Sequence, residues 1–544
     1  MLLTVRSPLP AAVLSGLLLA LAFPGGPGLW PLLAVALVPL LLTLRGGIRG
    51  RAFRTGLVAG MVHFLVLLYW IVTVLGHYGG LPWYFSVPAL GLLALYMALY
   101  VGFFALGARM LGETLPAPAA LWLVPALWVG LDWLRGWLFS GFPWMDLGYA
   151  LWGQPMLIQV ADLLGHHGVT FLLVLVNTLL ALLLSAGSGP GAGRLRLAAP
   201  VVLVIAGVAV YSAVRWHQVG QQMAGAERMP IGIVQGNIDQ DLKWSPENQG
   251  KTVATYIDRT ASLFAGGDGP RRPTLVVWPE TALPFYPEGS MFVEDLQRMN
   301  TRFDMALLTG APWYEVVDRD RKEYDYFNSA VLIAPTGEFI DRYSKSHLVP
   351  FGEYVPLKPL LPFLAPLVEA VGDFSPGVIG RPPAWRQGRI GVLVCFESIF
   401  PAIAGQWVRN GANVLVNLTN DAWYGKSSAP HHSLAMTVFR SVETRRSLVR
   451  SANTGISGFI DPLGRVVRQS GLFEPWAAAE DVILMAGESP WVRRRPSLRP
   501  AVRRSGAGRH RLERFRAPAP PTLPVTTCRP APVGRAAALI NFIV

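Results

Sequence analysis

Arg389-Ile-Gly-Val-Leu-Val-Cys-Phe-Glu397 is an apolar run closed by a thiol and, two residues on, by a carboxylate. A short apolar run with polar residues at its end reads as a buried strand. Cys395 is therefore expected at the end of a strand, beyond the edge of a sheet. Similar runs recur at 231–235, 274–278, 306–309, 330–334, 414–418, 449–452 and 458–460, with helical stretches at 245–265, 292–303 and 432–446 between several of them. Strands alternating with helices predict a layered α/β domain over residues 229–485, a length sufficient for a single core.

The residues ahead of that domain are patterned for a different solvent. The chain of 544 residues is 52% hydrophobic and 15% charged, with a mean hydropathy of +0.38; soluble domains carry about 25% charge. Apolar runs lie near 9–23, 29–44, 55–76, 84–108, 117–134, 169–186 and 197–215. Crossing about 30 Å of hydrocarbon takes roughly 17–25 residues, so 1–216 reads as a polytopic α-helical membrane domain of about seven spans. For the first run, which follows Arg6 and ends in Ala20-Leu21-Ala22, a cleaved signal peptide is the alternative. Arg45, Arg49, Arg51 and Arg54 lie in one connection, Arg109 begins another, and Arg194 and Arg196 lie in a third. The intervening short connections carry no lysine or arginine, which puts the arginine loops in the cytoplasm and the α/β domain outside it.

Asp132 and Arg135, three apart near a span end, are expected to pair with each other. The loop 136–168 carries Trp137, Phe139, Phe142, Trp144, Tyr149 and Trp152. It reads either as an interfacial aromatic belt or as a docking surface for acyl chains.

Net charge is +13, but twelve arginines from Arg493 to Arg535 lie in the C-terminal tail, opposed there only by Glu513. Without them the chain is close to neutral, so no nucleic-acid partner is implied. The tail, 486–544, is Arg/Pro-rich and non-periodic, and is expected to be disordered. Cys395 and Cys528 are the only cysteines, too few for a disulfide framework, and no Cys/His spacing suits a metal. The adjacent pairs His166-His167 and His431-His432 read as turns or helix starts.

Glu280 closes Leu275-Val-Val-Trp-Pro-Glu280, and Lys345 follows Asp341-Arg-Tyr-Ser. A thiol needs deprotonation to act as a nucleophile, a carboxylate can take its proton, and an ammonium can stabilise an oxyanion. Glutamate, lysine and cysteine at strand ends thus supply the parts for acyl transfer.

Together these segments resemble the nitrilase (carbon–nitrogen hydrolase) superfamily. Val277-Trp-Pro-Glu280 is similar to its glutamate motif, Lys345-Ser-His-Leu-Val-Pro-Phe-Gly-Glu-Tyr-Val355 to its lysine segment, and Val394-Cys-Phe-Glu397 to its cysteine motif. Asn417-Leu-Thr-Asn-Asp-Ala-Trp423 and Arg450-Ser-Ala-Asn-Thr-Gly455 resemble later family strands. The resemblance implies an α-β-β-α sandwich and the triad Glu280, Lys345 and Cys395. The preceding spans, with Asp132-Trp-Leu-Arg-Gly-Trp137 and Gly141-Phe-Pro-Trp144, narrow it to the membrane-embedded apolipoprotein N-acyltransferases, over roughly 9–485. That implies a bacterial inner-membrane enzyme, its catalytic domain periplasmic, needing no cofactor and no metal. The implied partners are a phospholipid acyl donor, typically phosphatidylethanolamine giving its sn-1 chain, and a diacylglyceryl apolipoprotein acceptor. Glu280 would be the base, and Lys345 with the Phe396 N–H would hold the oxyanion. Glu353, Glu397 and Asn328 would support the triad, and Trp244 would line the lipid entry.

Phe396 stands where that family often has tyrosine. The family also returns through the membrane in an eighth span, whereas here the sequence turns Arg/Pro-rich after Glu488-Ser-Pro-Trp-Val-Arg493; a reading-frame shift near residue 493 would account for this. The alternative function is a membrane-tethered amidase using the same triad on a small amide.

Overall fold

The computed structural model describes residues 8–44, 48–185, 191–265, 272–318, 320–354 and 374–494. Val355 of the lysine segment, and the tail from 495 onward with its expected disorder and missing span, lie outside these residues.

Four helices are long and apolar enough to cross a membrane: α5 (Trp83–Thr114), α6 (Ala117–Arg135), α7 (Ala161–Ser185) and α8 (Gly191–Gly225). A fifth crossing is a broken one, α3 (Arg49–Leu67) followed by α4 (Trp70–Thr73) and a π-turn to Tyr78, bent by 50°. The expected count of about seven spans is therefore corrected to four or five of membrane length among the described residues. The first two apolar runs form shorter pieces, α1 (Pro8–Leu21) and the segment Trp30–Thr43, which contains α2 (Val38–Thr43). Fourteen residues of helix rise only about 21 Å. Pro24-Gly-Gly-Pro-Gly28 stops the first, and Pro31 and Pro39 interrupt the second. Both are nevertheless built into the bundle. The Leu40 N–H donates to Ser15 Oγ at 2.9 Å, and Asn177 of α7 accepts from the Leu37 N–H at 2.8 Å. Gly60 of α3 lets α5 approach so closely that a Cβ there would lie 2.8 Å from the Ala98 Cα, the close helix contact that small residues permit in membranes.

Past 216, α8 continues to Gly225, and the α/β domain opens almost at once with β1 (Arg228–Gln235). Its first sheet adds β2 (Leu275–Val277), β3 (Ala306–Asp318), β4 (Glu323–Ile333), β5 (Phe339–Ser344) and β12 (Trp476–Ile483), in the order β12-β1-β2-β3-β4-β5. The second holds β6 (Ala384–Trp385), β7 (Gly388–Val394), β8 (Val414–Thr419), β9 (Leu448–Ala452), β10 (Gly458–Ile460) and β11 (Val466–Gln469), in the order β11-β10-β9-β8-β7-β6. Each sheet has three central parallel strands, β1-β2-β3 and β9-β8-β7, flanked by antiparallel ones. Alternation along the strands divides the core. Ile231, Ile233, Leu275, Val277 and Leu308 join the core shared with Ile390, Val392 and Val414 of the second sheet. Val234, Val276, Leu307 and Val331 face outward onto Val253 and Tyr256 of α10 (Pro246–Ser262) and Leu296 and Met299 of α11 (Val293–Phe303). Each such aliphatic side chain contributes about 1.5–3 kcal/mol on burial. Outside the second sheet lie α12 (Pro401–Arg409) and α13 (Ala429–Thr444), completing the α-β-β-α order.

The join to the membrane helices runs through α13, which also packs on α7. The loop 136–160 is folded beneath it. Trp144 and Tyr149 are buried, whereas Trp137 and Phe139 are exposed. Beyond β12, α14 (Pro490–Arg494) buries Trp491 against Gly165 and Gly405, so the first residues of the expected tail are packed.

Candidate active site

Glu280, Lys345 and Cys395 come from three chain segments that leave the ends of β2, β5 and β7, and the two stacked sheets bring those ends together. Trp278-Pro-Glu280 extends β2, with the Trp278 ring buried and its Nε1–H donating to Thr260 Oγ1 at 3.0 Å. Gly310 on β3 lies against this extension. A Cβ there would stand 2.3 Å from the Thr281 nitrogen and 2.6 Å from the Glu280 Cα, so only glycine lets the glutamate sit where it does. Cys395 has φ +49° and opens a tight 3-10 turn, Cys395–Ile399, directly from β7. A non-glycine residue held in the left-handed region costs about 1–3 kcal/mol and marks a side chain presented by strain.

Around these residues the polar atoms form a closed pattern. Lys345 Nζ donates to Glu353 Oε1 at 2.8 Å and lies 3.7 Å from Glu280 Oε1. Asn328, on β4, bridges the same two carboxylates, its Nδ2–H groups reaching Glu280 Oε1 at 2.8 Å and Glu353 Oε1 at 2.9 Å. Its carbonyl accepts from the Lys345 N–H at 2.8 Å. The second Glu280 oxygen accepts from the Asn420 N–H at 2.9 Å, and the second Glu353 oxygen from the Val349 N–H at 2.8 Å. Glu397 is fully buried and accepts from the Tyr343 hydroxyl, the Ser346 N–H and hydroxyl, the His347 N–H and the Val394 N–H, at 2.7–3.1 Å. It pins the turn after Cys395 to the lysine segment. Phe396 is buried beside the thiol, and Trp244 ends the short helix α9 (Gln240–Lys243), half-buried.

The electrostatics suit a thiol deprotonated only as it reacts. Burial and the Glu280 carboxylate push the Cys395 thiol well up, with Lys345 and a hydrogen bond from Thr419 opposing them. The residue as a whole keeps part of its surface open. Burial alone would lower Lys345, but Glu353, Glu280 and Cys395 more than reverse this, so it stays an ammonium.

Several participants were not evident from the sequence. Asn420, whose N–H holds Glu280, and Tyr343, whose hydroxyl holds Glu397, lie in quoted stretches that do not single them out. Asp421, which pairs with Arg450 at 2.7 Å, and Thr419 lie in the quoted Asn417–Trp423 segment, which gave no hint that they approach the thiol.

Asp132 and Arg135 pair at 3.2 Å as expected, and Arg135 also contacts Asp146. His166 and His167 meet Asp146 in a group whose ligating atoms lie within 4.8 Å of one another, the one such group among the described residues. Twenty residues separate Asp146 from His166, so local spacing could not reveal it. Its atoms are already engaged: His166 Nε2 is 2.8 Å from Asp146 Oδ2, and its Nδ1 is 3.2 Å from Glu443 Oε1.

Residues 15–179 match the Apolipoprotein N-acyltransferase N-terminal domain, and residues 231–480 match the Carbon-nitrogen hydrolase family. The Apolipoprotein N-acyltransferase of Geobacter metallireducens is 41% identical over 88% of this chain and 90% of its own length. That of Methylococcus capsulatus is 33% identical over 88% and 91%, and that of Gloeobacter violaceus 36% over 88% and 88%. Two domain matches in order and this breadth of identity mean that the chain belongs to the apolipoprotein N-acyltransferases, membrane acyltransferases of the carbon–nitrogen hydrolase superfamily.

Proposed function

We propose that Cys395 carries an acyl chain from the sn-1 position of a phospholipid, typically phosphatidylethanolamine, to the α-amine of the N-terminal diacylglyceryl-cysteine of an apolipoprotein. Glu280 takes the thiol proton as sulfur adds to the ester carbonyl. Lys345 and the Phe396 N–H hold the oxyanion while the bond to the glycerol oxygen breaks. The proton passes to that oxygen, and lysophospholipid leaves. The amine then adds to the thioester carbonyl. Glu280 takes the amine's proton and returns it to sulfur as the C–S bond breaks, leaving an amide. Asn328 and Glu353 hold Glu280 and Lys345 in register, Glu397 fixes the turn, and Trp244 lines the lipid entry. A thioester is readily attacked by an amine, and the amide product makes the transfer one-way.

The observation that carries this reading is an aromatic column running from the membrane part to the nucleophile. Phe142 stacks on Phe396, the neighbour of Cys395, at 6.5 Å and 23°, and on Trp144 at 5.7 Å and 9°. Trp144 meets Trp70 at 4.8 Å, and Trp70 meets Tyr424 at 5.0 Å. Phe142, partly exposed in front of the buried Trp144 and Trp70, gives an acyl chain an apolar side to lie on, whereas a small amide would call for a closed polar pocket. The membrane-length crossings, with the bent pair α3–α4 counted as one span, number five, an odd number. With the arginine loops cytoplasmic, the site over 229–485 then faces the periplasm from a membrane part ending near 216.

Purified protein incubated with acyl-labelled phospholipid is expected to bear the label as a thioester on Cys395 and to release it to a diacylated lipopeptide as an amide. Label that never reaches Cys395 overturns the reading, and label released only to water favours an amidase-like hydrolase.

A further inference from the structure

Lys243 is a buried cation that the triad chemistry leaves unused. Its side chain is 0% exposed, and Nζ donates to the main-chain carbonyl of Glu280 at 3.3 Å. A buried ammonium is costly unless it answers a charge, and the charge acting on it is Glu280. The other acids of its turn point elsewhere. Asp239 accepts from the Asp241 N–H at 2.9 Å, and Asp241 lies 3.9 Å from His77.

The site needs such a cation. Glu280 and Glu353 both face Lys345, so two carboxylates share one ammonium. Counted with Lys243, the cluster balances. Moving the thiol proton to Glu280 replaces one anion by another, and the balance persists with Glu353 and the thiolate against the two lysines. Without Lys243 the thiolate, and the oxyanion that follows it, form in a buried cluster carrying a net negative charge, where each is disfavoured.

Lys243 also lies in the segment that carries Trp244. The Asn420 side chain donates to Gln240 Oε1 at 2.7 Å, while the Asn420 main-chain N–H holds Glu280. Asn453 accepts from the Ile238 N–H at 2.9 Å and donates to the Ile238 carbonyl at 2.8 Å. The segment 237–244 is thus bound to Asn420, which holds the base, and to Asn453, which in turn donates to Asn420 at 3.3 Å.

We propose that Lys243 is a positioning residue of this site, the second cation that balances Glu280 and Glu353 and ties the segment bearing Trp244 to the strand end bearing Glu280. The proposal rests on the reading of Glu280 as base and Cys395 as acyl carrier. Lys243 acts through Glu280 and the local field, without touching the reacting atoms.

The pH profile separates this role from simple packing. Burial pulls Lys243 down to about 8, whereas Lys345 is pushed up and keeps its proton. Raising the pH through about 8 therefore removes the second cation and leaves the first. The test is single-turnover labelling of Cys395 by acyl-labelled phosphatidylethanolamine in detergent micelles, with the full chain, over about pH 6–9.5. The wild-type rate is expected to fall on the alkaline side near pH 8. Lys243→Met is expected to acylate roughly 10–100-fold more slowly, with unchanged half-saturation by lipid and no alkaline fall. A Lys243→Met rate and profile equal to wild type overturns the proposal. So does a wild-type rate that stays flat through pH 9, a result that stands even where the variant fails to fold. Absence of label on wild-type Cys395 at every pH overturns the underlying reading instead, so the two failures are distinct.

Discussion

Two buried clusters of charge lie on either side of the loop that joins the membrane helices to the sandwich, and they follow different rules. At the joint, most carboxylates meet more than one nitrogen-bearing side chain, although Asp132 and Asp146 share Arg135. Asp146 meets Arg135 and His166, Glu443 meets Arg440 at 3.1 Å and His166 at 3.2 Å, and Asp162 meets Arg445 at 2.9 Å and Arg215 at 2.8 Å. In the candidate site, Glu280 and Glu353 share one ammonium and one amide, beside a partly exposed cysteine. Matched charges fix a position. In the site a carboxylate is left able to accept a proton, since Lys345 already bonds Glu353 and keeps that partner when Glu280 becomes neutral. The difference lies in the surroundings: several fixed partners for Asp162 and Glu443 at the joint, and a partly exposed cysteine beside the carboxylate pair in the site.

Lys345→Met tests that separation most severely. Glu280 and Glu353 would then have only Lys243, which bonds the Glu280 main chain, to balance them, and one would hold a proton, leaving the thiol without its base and the oxyanion without its nearest charge. Acyl-enzyme formation, followed by mass spectrometry of the intact protein, is expected to fall at least about 10³-fold. A variant that acylates within about tenfold of wild type would remove the chemical role from the shared ammonium. Glu443→Gln is the counterpart at the joint. It leaves Arg440 and His166 short of a buried partner, at an expected stability cost of about 3–5 kcal/mol. That loss would appear as a lowered unfolding temperature in detergent, with the acylation rate per folded molecule unchanged. A rate that falls while stability holds would merge the two networks.

The sequence announced the chemistry better than the scaffold that carries it. Strand ends bearing Glu280 and Cys395 were legible because short apolar runs bounded by polar residues have few other readings. The eight runs all became strands, and 458–460 did so without change of boundary. The edge strands β6, β11 and β12 carry no such run, because their half-exposed residues interrupt the apolar signal. Span counting failed for the first two runs, where hydropathy is high but proline and glycine shorten the helices. Asn328 entered as a family position, but its bridge between Glu280 and Glu353 depends on the β3–β4 register, which no local pattern encodes. Lys243 was invisible because a lysine two residues after Asp241 in a polar turn reads as surface.

A smaller effect comes from His347, which borders the shared cluster. Its ring packs on Phe400 at 4.0 Å, and burial and then Lys345 hold it down to about 4, with Glu353 opposing. An unfolded chain takes up that proton near pH 6.5, so the folded state lacks a proton that the unfolded state binds. Stability is full above about pH 6.5 and falls as the pH drops toward 4, by up to roughly 3 kcal/mol. Denaturant unfolding at about pH 7 and 4.5 is expected to show a shallower loss in His347→Gln. An unchanged slope would assign the acid sensitivity to other groups.

The mildest change sharpens the comparison most finely, because Phe142 belongs to the loop that links the two clusters. Four residues on, Asp146 anchors that loop in the matched network, while the Phe142 ring stacks on Phe396 beside the thiol. If the ring is a wall for an acyl chain, Phe142→Ala should weaken only the donor that needs the wall. An aromatic contact of this kind is worth about 0.5–1.5 kcal/mol beyond its area, so half-saturation by a long-chain phospholipid is expected to rise roughly three- to tenfold. Acylation of Cys395 by a short, water-soluble thioester should keep its rate, since that donor reaches the sulfur without the column. Equal losses with both donors would mean that the ring only holds the turn carrying Cys395, and the column would then belong with the matched network as a structural element.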